Sequence, residues 1–596
     1  MCGIVGYSGD KMATDIILDS LIRLEYRGYD SVGVAIVNHD IVVYKEKGQV
    51  SQLRDLVPSI DGYTGIGHTR WATCGVPSSE NAHPFKSMDG RIALVHNGII
   101  ENYLDLRKEL SAQGYEFSSQ TDTEVLVHLV HRYMDGDLHM ALRRALQDVR
   151  GTYAIAAVEF GSDRIVVARK ENPLVIGVGM GENFIASDVT AILEHTSDVI
   201  YVMDGETAVI SPEEIHLFSP EGQEIKREVN RITWTSEDAK KEGFEHFMLK
   251  EIFEQPKTVR DTLVCYLDGL EASDILPPVS PSSVTIVACG TSYHAGMVGK
   301  YAIEELANIP VTVELGSEFR YSSGTDNKPL VILITQSGET ADTLAACREA
   351  RRRGCHTLAV TNVLGSTITR EADSVIMTKA GPEISVAATK TYTAQLVSLY
   401  LIALKLALNR GAIDEMGLRE LKAQLRSLPT LIERVLDRAD SLQDAVEVMS
   451  RAQHAFFIGR NINFPSMLEG ALKLKEISYI HAEGYAAGEL KHGPLALLDP
   501  DTPLVAACLR DHTYEKMISN VTEVAARGSP VLIVASDGDE QVHLLTDHVI
   551  FVPRCPPLLS PVPLAVLLQL LAYHVAKAKG MPIDKPRNLA KSVTVE

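Results

Sequence analysis

The chain has 596 residues, 45% of them hydrophobic and 23% charged, which is too long for one hydrophobic core and predicts roughly three to five domains of ordinary globular composition. A net charge of −21 opposes binding to nucleic acid and to anionic membranes, so a phosphorylated ligand must be held by local donors. Eight cysteines without a CxxC pair, and histidines without ligand spacing, argue against a disulfide framework and a zinc site.

Targeting and membrane signals are not evident in the sequence. No basic segment leads into an apolar run at the N-terminus, and no apolar run reaches the ~18–20 residues that a membrane helix needs. We therefore expect a cytoplasmic protein that contacts neither membrane nor nucleic acid.

Cysteine stands at position 2, directly behind Met1. Removal of Met1 would leave Cys2 with a thiol and a free α-amine, and the pKa of such an amine is about 7.7–8.0. This amine can act as general base for the thiol of the same residue. The alternative interpretation is that Cys2 begins a buried strand, since Ile4 and Val5 are typical core residues.

Residues 1 to about 217 alternate short β-type runs with amphipathic stretches. The predicted strands are 33–37, 41–44, 91–95 and 153–158, and the predicted helices are 13–24, 103–113 and 122–133. This order indicates stacked antiparallel sheets with helical layers. A polar stretch at 235–245 predicts a linker.

From about residue 275, apolar strands alternate with long helices, which predicts a parallel sheet with crossover helices. This half is doubled: the strand 329–335 and the following helix that ends in 350–360 parallel the strand 503–507 and the following helix that ends in 525–534. Gly290 and Gly459 follow apolar strands at similar offsets. We expect two α/β units of one kind, which can share a site at their interface.

Two loops of the first α/β unit carry hydroxyl groups where a strand gives way to a helix. They are Gly290 to Ser292 and Thr335 to Thr340, and such loops form anion sites beyond the carboxyl ends of parallel strands. Ordinary helix capping is the alternative for either loop alone, but the doubled pattern favours phosphate. Neither a P-loop nor a dinucleotide fingerprint is present.

The second α/β unit contains a predicted helix at 472–477 and a glycine-bracketed turn at 488–494. Lys473 and Glu476 share a face of that helix at i, i+3, and His492 lies in the turn. A carboxylate and an imidazole beside a phosphosugar suit proton transfer and ring opening. The alternatives are a solvated salt bridge and an ordinary surface histidine.

Longer segments of the chain carry a family resemblance. Segments 2–6, 24–31, 67–73, 81–84 and 96–102 resemble the class II glutamine amidotransferase domain, and segments 473–483, 489–494 and 586–596 resemble paired sugar-isomerase domains with a C-terminal tail. Together they resemble the glutamine:fructose-6-phosphate aminotransferase family over essentially the whole chain.

The resemblance implies a multidomain protein of the α/β and α+β classes. An N-terminal-nucleophile (αββα) glutaminase domain is expected at 2–217, followed by a linker and connecting helices at 218–274. Two doubly wound α/β sugar-isomerase (SIS) domains follow at 275–412 and 446–586, and a catalytic tail ends the chain at 587–596.

The resemblance also implies the reaction. Such an enzyme hydrolyses glutamine, channels the ammonia between two active sites, and converts fructose 6-phosphate to glucosamine 6-phosphate, the first step of hexosamine biosynthesis toward UDP-N-acetylglucosamine. No metal or organic cofactor is expected. The protein is expected to be a homodimer. The rival hypotheses are an amidotransferase with another acceptor, such as a phosphoribosyl diphosphate, and a non-catalytic phosphosugar sensor.

In the glutamine site implied by the resemblance, Cys2 attacks the amide. Asn97 and Gly98 donate the oxyanion hole that a tetrahedral anion requires. Arg70 clamps the α-carboxylate and Asp122 receives the α-ammonium.

Three further residues complete that pocket by resemblance. His83 and Thr73 shape it, and Trp71 gates the ammonia tunnel. Cys74 stands where the family generally has histidine, which leaves the details of the glutamine loop open, and Ala388 stands where serine is frequent.

In the sugar site implied by the resemblance, Lys591 forms a Schiff base with the ketose, His492 assists ring opening and Glu476 moves a proton between C1 and C2. The residues expected to bind the sugar phosphate are Thr291, Ser292, Thr335, Gln336, Ser337, Thr340 and Lys473. Thr335 replaces the family's frequent serine but keeps the hydroxyl.

Overall fold

A computed structural model describes residues 2–72, 74–232, 241–271, 275–276, 281–322 and 328–594. The chain forms two compact units. The first unit comprises Met1–Ala239 and Ala590–Glu596, and the second comprises Lys240–Leu589.

Antiparallel strands and flanking helices build the first unit. The strands are β1 (Gly3–Ser8), β2 (Ser31–Val37), β3 (Ile41–Lys47), β4 (Thr64–Arg70), β5 (Phe85–Lys86), β6 (Ile92–Ile100), β7 (Gly151–Glu159), β8 (Ile165–Lys170), β9 (Val175–Val178), β10 (Asn183–Ala186), β11 (Asp198–Tyr201), β12 (Thr207–Ile210), β13 (Ile215–Phe218), β14 (Glu224–Ile225) and β15 (Asn230–Arg231). The helices are α1 (Ala13–Leu24), α2 (Val50–Leu56), α3 (Tyr103–Ala112), α4 (Asp122–Arg132) and α5 (Leu138–Asp148). All strands and helices predicted in this part are confirmed to within a few residues.

Two sheets lie face to face in the first unit. One has the order β15-β11-β9-β10-β1-β4-β2-β3 and the other β14-β13-β12-β8-β7-β6-β5. Ile4 and Ile66 of one sheet pack with Val95 and Ala156 of the other in the inner core, and α1 covers the outer face of the first sheet while α4 and α5 cover the second. The layers are helix, sheet, sheet, helix, which confirms the αββα fold.

The second unit contains two copies of a parallel α/β arrangement. Its helices are α6 (Phe247–Phe253), α7 (Gln255–Tyr266), α8 (Gly290–Ala307), α9 (Gly316–Phe319), α10 (Ala341–Arg352), α11 (Thr367–Glu371), α12 (Lys390–Arg410), α13 (Glu415–Leu436), α14 (Gln443–Arg451), α15 (Phe464–Ser478), α16 (Tyr514–Ala525) and α17 (Pro561–Ala578). Its strands are β16 (Val284–Ala288), β17 (Val311–Leu315), β18 (Leu330–Ile334), β19 (His356–Thr361), β20 (Ser374–Met377), β21 (His454–Gly459), β22 (His481–Ala486), β23 (Leu504–Cys508), β24 (Val531–Ser536) and β25 (Val549–Val552).

The two parallel sheets have matching strand orders, β17-β16-β18-β19-β20 and β22-β21-β23-β24-β25. Apolar clusters cover both faces of each sheet, which confirms two doubly wound repeats. In this strand order the connections leave in opposite directions from the first strand of each repeat, so a topological switch point lies between the first and third strands. Ligands bind at such a point, beyond the carboxyl ends of the strands. In the first repeat those strands are β16 and β18, the two that lead into the predicted phosphate loops.

The unit boundaries differ from the predicted domain limits. β14 and β15 extend the sheets of the first unit past residue 217, and α6 and α7, which lie where connecting helices were expected, contribute to the core of the second unit. Of the predicted linker at 235–245, residues 235–240 lie outside the described residues.

Two helices of the second unit correct the expectation that no apolar run is long enough to cross a membrane. Lys390–Arg410 and Pro557–Ala578 pass that test by length and composition, but 94% of each apolar window is buried. Core helices of a packed unit pass the same test, and both belong to one hydrophobic cluster.

Candidate active sites

Strand register brings Cys2 to the end of β4. Gly3 pairs with Thr69 in antiparallel β1 and β4, so Cys2 lies beside Arg70 and Trp71. The Trp71 N–H donates to Cys2 Sγ at 3.2 Å, and the thiol lies 3.4 Å from the Trp71 carbonyl oxygen. The nucleophile is thus fixed by backbone pairing.

The 24–31 segment supports the turn that follows β4. Asp30 receives the Ala72 N–H on Oδ2 at 2.9 Å and donates its own N–H to the Arg70 carbonyl at 3.0 Å. A Cβ at Gly28 would lie 2.8 Å from the Arg70 carbonyl carbon, so only glycine permits this approach. The segment therefore fixes the backbone of the turn that follows Arg70.

Arg70 is buried with part of its guanidinium unused. Nη2 donates to the carbonyls of Cys74 and, at 3.2 Å, Gly75. Nη1 is buried and has no hydrogen-bond partner among the described residues. A buried N–H without a partner is costly, and a carboxylate would satisfy it.

Asp122 is the first residue of α4. Its Oδ2 accepts the Ile100 N–H at 2.9 Å and lies 4.0 Å from His96 Nδ1. Arg70 lowers and Asp122 raises the pKa of Cys2, so both charges act on its Sγ. A cation and an anion that both act on one thiol can bind the two charged ends of an amino acid.

The thiol itself is not activated by its surroundings. Burial raises the pKa of Cys2, and this outweighs the opposing effects of the backbone contact with Trp71 and the charge of Arg70. The sulfur therefore remains protonated at neutral pH, and attack on an amide requires a base.

Asn97 and Gly98 lie on β6 beside the nucleophile. Asn97 Nδ2 donates to the Cys2 carbonyl at 3.0 Å. Gly98 has φ of +123°, and a Cβ there would lie 2.1 Å from the Thr152 carbonyl oxygen. No other residue can take this backbone position without displacing β7.

The imidazole of His83 is held by neighbouring histidines and is not free. Its ring stacks on His68 with centroids 4.1 Å apart, and Nδ1 accepts the His96 N–H at 3.4 Å. Burial, assisted by His68 and Arg70, holds the pKa of His83 well below its usual range, so the ring is neutral. Thr73, the remaining predicted pocket residue, lies outside the described residues.

The C-terminal tail belongs to the first unit from Ala590 onward. Thr594 Oγ1 donates to Asn172 Oδ1 at 3.3 Å, and Asn172 Nδ2 lies 2.9 Å from the position a Cβ would take at Gly98. Lys591 belongs to the same unit by its position in the chain.

In the second unit, the loop after β18 is held by its own hydroxyl groups. Thr335 Oγ1 lies 3.0 Å from Thr340 Oγ1 and accepts the Gly338 N–H at 3.2 Å, and Ser337 Oγ accepts the Glu339 N–H at 3.1 Å. Thr340 makes no side-chain cap to α10 and Cys289 makes none to α8, so the hydroxyls of Thr335 and Ser337 satisfy backbone N–H groups of the loop itself.

Gln336 and Ser292 have different surroundings. The Gln336 carbonyl accepts the Asn362 N–H at 3.1 Å, which fixes its backbone. Ser292 Oγ accepts from Gln395 Nε2 at 3.0 Å, in the interior between α8 and α12. The serine hydroxyl thus faces a buried amide.

A buried charge cluster joins the two repeats where α8 meets α15. Lys473 Nζ lies 2.6 Å from Glu476 and 3.4 Å from Glu469, and it donates to Thr291 Oγ1 at 3.2 Å. Lys473 is only 1% exposed, so the solvated salt bridge of the alternative interpretation is wrong. Burial favours a lower pKa for Lys473, but the carboxylates of Glu476 and Glu469 outweigh it and raise the pKa.

Two members of this cluster, Glu469 and His294, were not predicted from the sequence. Glu469 accepts from Thr291 Oγ1 at 3.1 Å and lies 2.8 Å from His294 Nδ1. The i, i+4 spacing of Glu469 and Lys473 on α15 was a usable signal. The partnership with His294 was not, because it depends on the packing of two distant helices.

His492 ends a short 3₁₀ segment, Ala487–His492, and is exposed. Its imidazole makes no hydrogen bond or ion pair within the described part of the chain. The second unit therefore does not bring His492 into contact with the Lys473 cluster.

Comparisons with known proteins agree with this division. Residues 68–194 match the glutamine amidotransferase domain, and residues 279–405 and 448–578 each match the SIS domain. The chain is 50% identical over 618 residues to the glutamine–fructose-6-phosphate aminotransferase (isomerizing) of Methanosarcina acetivorans and 48% identical over 604 residues to that of Thermus thermophilus, with 100% of both chains covered in each case.

A solved structure is similar to the second half of the chain. It is the C-terminal domain of glucosamine-fructose-6-phosphate aminotransferase from Francisella tularensis, 39% identical, with a TM-score of 0.56. It covers 58% of this chain and 99% of its own.

Proposed function

Because this chain belongs to the glutamine–fructose-6-phosphate aminotransferase (isomerizing) family, we propose that it makes glucosamine 6-phosphate and glutamate from fructose 6-phosphate and glutamine. One observation carries the proposal. A single chain combines a thiol on which the charges of Arg70 and Asp122 both act with an ion pair of the buried Lys473 and Glu476 in a doubled sugar-isomerase fold.

Glutamine hydrolysis begins at Cys2. Arg70 holds the substrate carboxylate and Asp122 its ammonium, which aligns the side-chain amide with Sγ. A new bond from sulfur to the amide carbon gives a tetrahedral oxyanion, which Asn97 Nδ2 and the Gly98 N–H stabilise. The C–N bond breaks, ammonia leaves, and water hydrolyses the thioester to glutamate.

The base for this step is the α-amine of Cys2. Because burial raises the pKa of the thiol, the sulfur must lose its proton during attack, and no described histidine donates or accepts at Sγ. An amine freed by cleavage of the bond between Met1 and Cys2 lies on the same residue and has a suitable pKa of about 7.7–8.0.

Amination and isomerisation take place in the sugar site. The hydroxyls of Thr335, Ser337 and Thr340 bind the phosphate with Gln336, and Thr291 and Ser292 line the site. Lys591 forms a Schiff base with the ketose, and ammonia then displaces the lysine amine from it.

Proton transfer between C1 and C2 falls to Glu476, with His492 opening the sugar ring. The ion pair with Lys473 holds the Glu476 carboxylate in place as the proton acceptor. Ammonia reaches this site through a path gated by Trp71, whose indole meets Tyr29 edge to face at 5.7 Å.

The enzyme works as a homodimer in the cytoplasm without a metal or organic cofactor. The exposed His492 supports the dimer, since the resemblance implies a sugar site built across subunits. All eight cysteines are free thiols, which suits a reducing compartment.

A two-variant assay tests the proposal. Wild-type protein should form glutamate and glucosamine 6-phosphate together. Cys2→Ala should form neither from glutamine, whereas Glu476→Gln should still release glutamate without aminosugar. Glucosamine 6-phosphate formation from glutamine by purified Cys2→Ala protein would exclude the assigned nucleophile.

A further inference from the structure

His68 contacts the oxyanion-hole residue from the buried side. It lies on β4, paired with Ile4 of β1 and Gly33 of β2, and its side chain is completely buried. Its Nε2 lies 3.1 Å from Asn97 Oδ1 and 3.1 Å from the His96 carbonyl oxygen.

Both neighbours of Nε2 fix the position of the imidazole proton. The His96 carbonyl can only accept, so Nε2 must carry hydrogen. The same N–H then faces Asn97, which must turn its oxygen toward His68. The opposite amide orientation would place Asn97 Oδ1 against the Cys2 carbonyl at 3.0 Å, two acceptors without a hydrogen between them.

We propose that His68 is the positioning residue of the oxyanion hole: its Nε2–H holds the Asn97 amide with Nδ2 directed at the nucleophile. The inference rests on the proposed function of Cys2 and assigns His68 no contact with substrate. Its effect passes through Asn97 alone.

The surroundings keep His68 in this one state. The stacked ring of His83 fixes its plane, and burial, with Arg70 adding to the effect, lowers the pKa of His68 to about 3. The imidazole is therefore neutral at every pH at which the enzyme works. It acts as a fixed donor and not as a proton carrier.

The matched test compares His68→Gln with His68→Asn. The two side chains carry the same amide, but only glutamine reaches as far as Nε2 of histidine, whereas asparagine ends near Nδ1. We expect His68→Gln to stay close to the wild-type kcat for glutamine hydrolysis. His68→Asn should lose about tenfold or more in kcat with little change in KM, below the ~10²–10³ cost of removing an oxyanion-hole donor outright.

A second background separates positioning from general damage. In Asn97→Ala protein, His68→Asn should cause no further loss of kcat, because the group it orients is gone. Thermal unfolding midpoints of all variants establish that they fold.

The outcomes divide cleanly. If wild-type protein releases no glutamate from glutamine, the proposed function fails before His68 is tested. If wild-type protein is active, equal kcat in His68→Gln and His68→Asn overturns the positioning role, as does an undiminished loss in the Asn97→Ala background. Loss of folding in His68→Asn leaves the comparison of His68→Gln with wild type, where a large fall in kcat at an unchanged unfolding midpoint contradicts the role.

Discussion

At the scale of single residues, Arg70 has an unsatisfied donor in the proposed glutamine site before glutamine binds. Its side chain is buried, and Nη1 has no partner among the described residues. An unsatisfied buried donor costs about 1–3 kcal/mol. In the proposed glutamine site, binding of the substrate carboxylate to Nη1 would recover that cost, so the unsatisfied donor of the free site would contribute to affinity.

Substitution of Arg70 should therefore act mainly on glutamine. We expect Arg70→Gln to lower kcat/KM for glutamine by at least ~30-fold, which corresponds to the ~2–5 kcal/mol of a truncated buried charge pair. Arg70→Lys should recover only part of this, because an ammonium group cannot bind a carboxylate through two parallel donors. The KM for fructose 6-phosphate is the control, and an equal rise in both KM values would contradict a specific clamp.

His68 also makes a testable contribution to stability. Its pKa is about 3 in the folded state and about 6.5 when unfolded. Above pH 6.5 neither state binds the proton, so His68 gives no pH dependence there. Below pH 6.5 only the unfolded state binds it, so stability falls as the pH drops toward 3.

Between pH 7.5 and 5.5 this effect amounts to about 1.4 kcal/mol for His68. The measurement is the free energy of unfolding of the first unit, followed by fluorescence, since both tryptophans, Trp71 and Trp234, fall within its part of the sequence. The loss between the two pH values should be about 1.4 kcal/mol smaller in His68→Gln. Identical losses in the two proteins would show that His68 takes up a proton without unfolding.

At the scale of secondary-structure elements, the bend of β6 at Gly98 determines where the proposed oxyanion hole lies. The φ of +123° turns the strand while it stays paired with β7. The same residue lies next to Asn172, which holds the C-terminal tail through Thr594. A change at this bend therefore affects both the glutamine site and the tail.

Gly98→Ala should destroy glutamine hydrolysis and destabilise the first unit. The added Cβ would lie 2.1 Å from the Thr152 oxygen, which no small shift relieves. Gly114→Ala is the matched control, since Gly114 has φ of +91° with nothing within 4 Å. That control should lose only about 1–3 kcal/mol for its backbone conformation and keep its activity. Equal effects in the two variants would mean that φ rather than the clash is decisive.

The buried charges on α15 are the second element-scale feature. Lys473→Met leaves Glu469 and Glu476 without their shared cation, which should destabilise the second unit by about 3–5 kcal/mol and abolish sugar isomerisation. Lys257→Met is the control, because the pair of Lys257 and Asp261 is exposed and is worth at most ~1 kcal/mol. Comparable losses of unfolding free energy in the two variants would contradict the importance of burial.

Local patterns predicted elements better than sites. The helix at 13–24 and the doubled parallel repeats follow from periodicity and strand alternation within short segments, and both are confirmed. His68 and His294 act through residues on other strands or helices, so their roles depend on packing that a local pattern does not contain. The segment that contains His68 was recognised in the sequence, but the contact of His68 with Asn97 forms only when β4 packs against β6.

At the scale of the whole molecule, the chain divides its two chemistries between two units with separate cores. We assign glutamine hydrolysis to the thiol at the end of a strand pair, and sugar isomerisation to the charge cluster between two parallel repeats. Each half alone has a known type of reaction. Their presence in one chain makes sense only if nitrogen passes from one to the other.

Isotope transfer tests this central claim most directly. Wild-type protein is supplied with fructose 6-phosphate, glutamine labelled with ¹⁵N in the amide, and an excess of unlabelled ammonium, and glucosamine 6-phosphate is analysed by mass spectrometry, with Cys2→Ala as the control. We expect the wild-type product to carry ¹⁵N with one glutamate formed per aminosugar, and Cys2→Ala to give no labelled product. Unlabelled glucosamine 6-phosphate from the wild type, or labelled glutamine consumed without any aminosugar, would contradict the account.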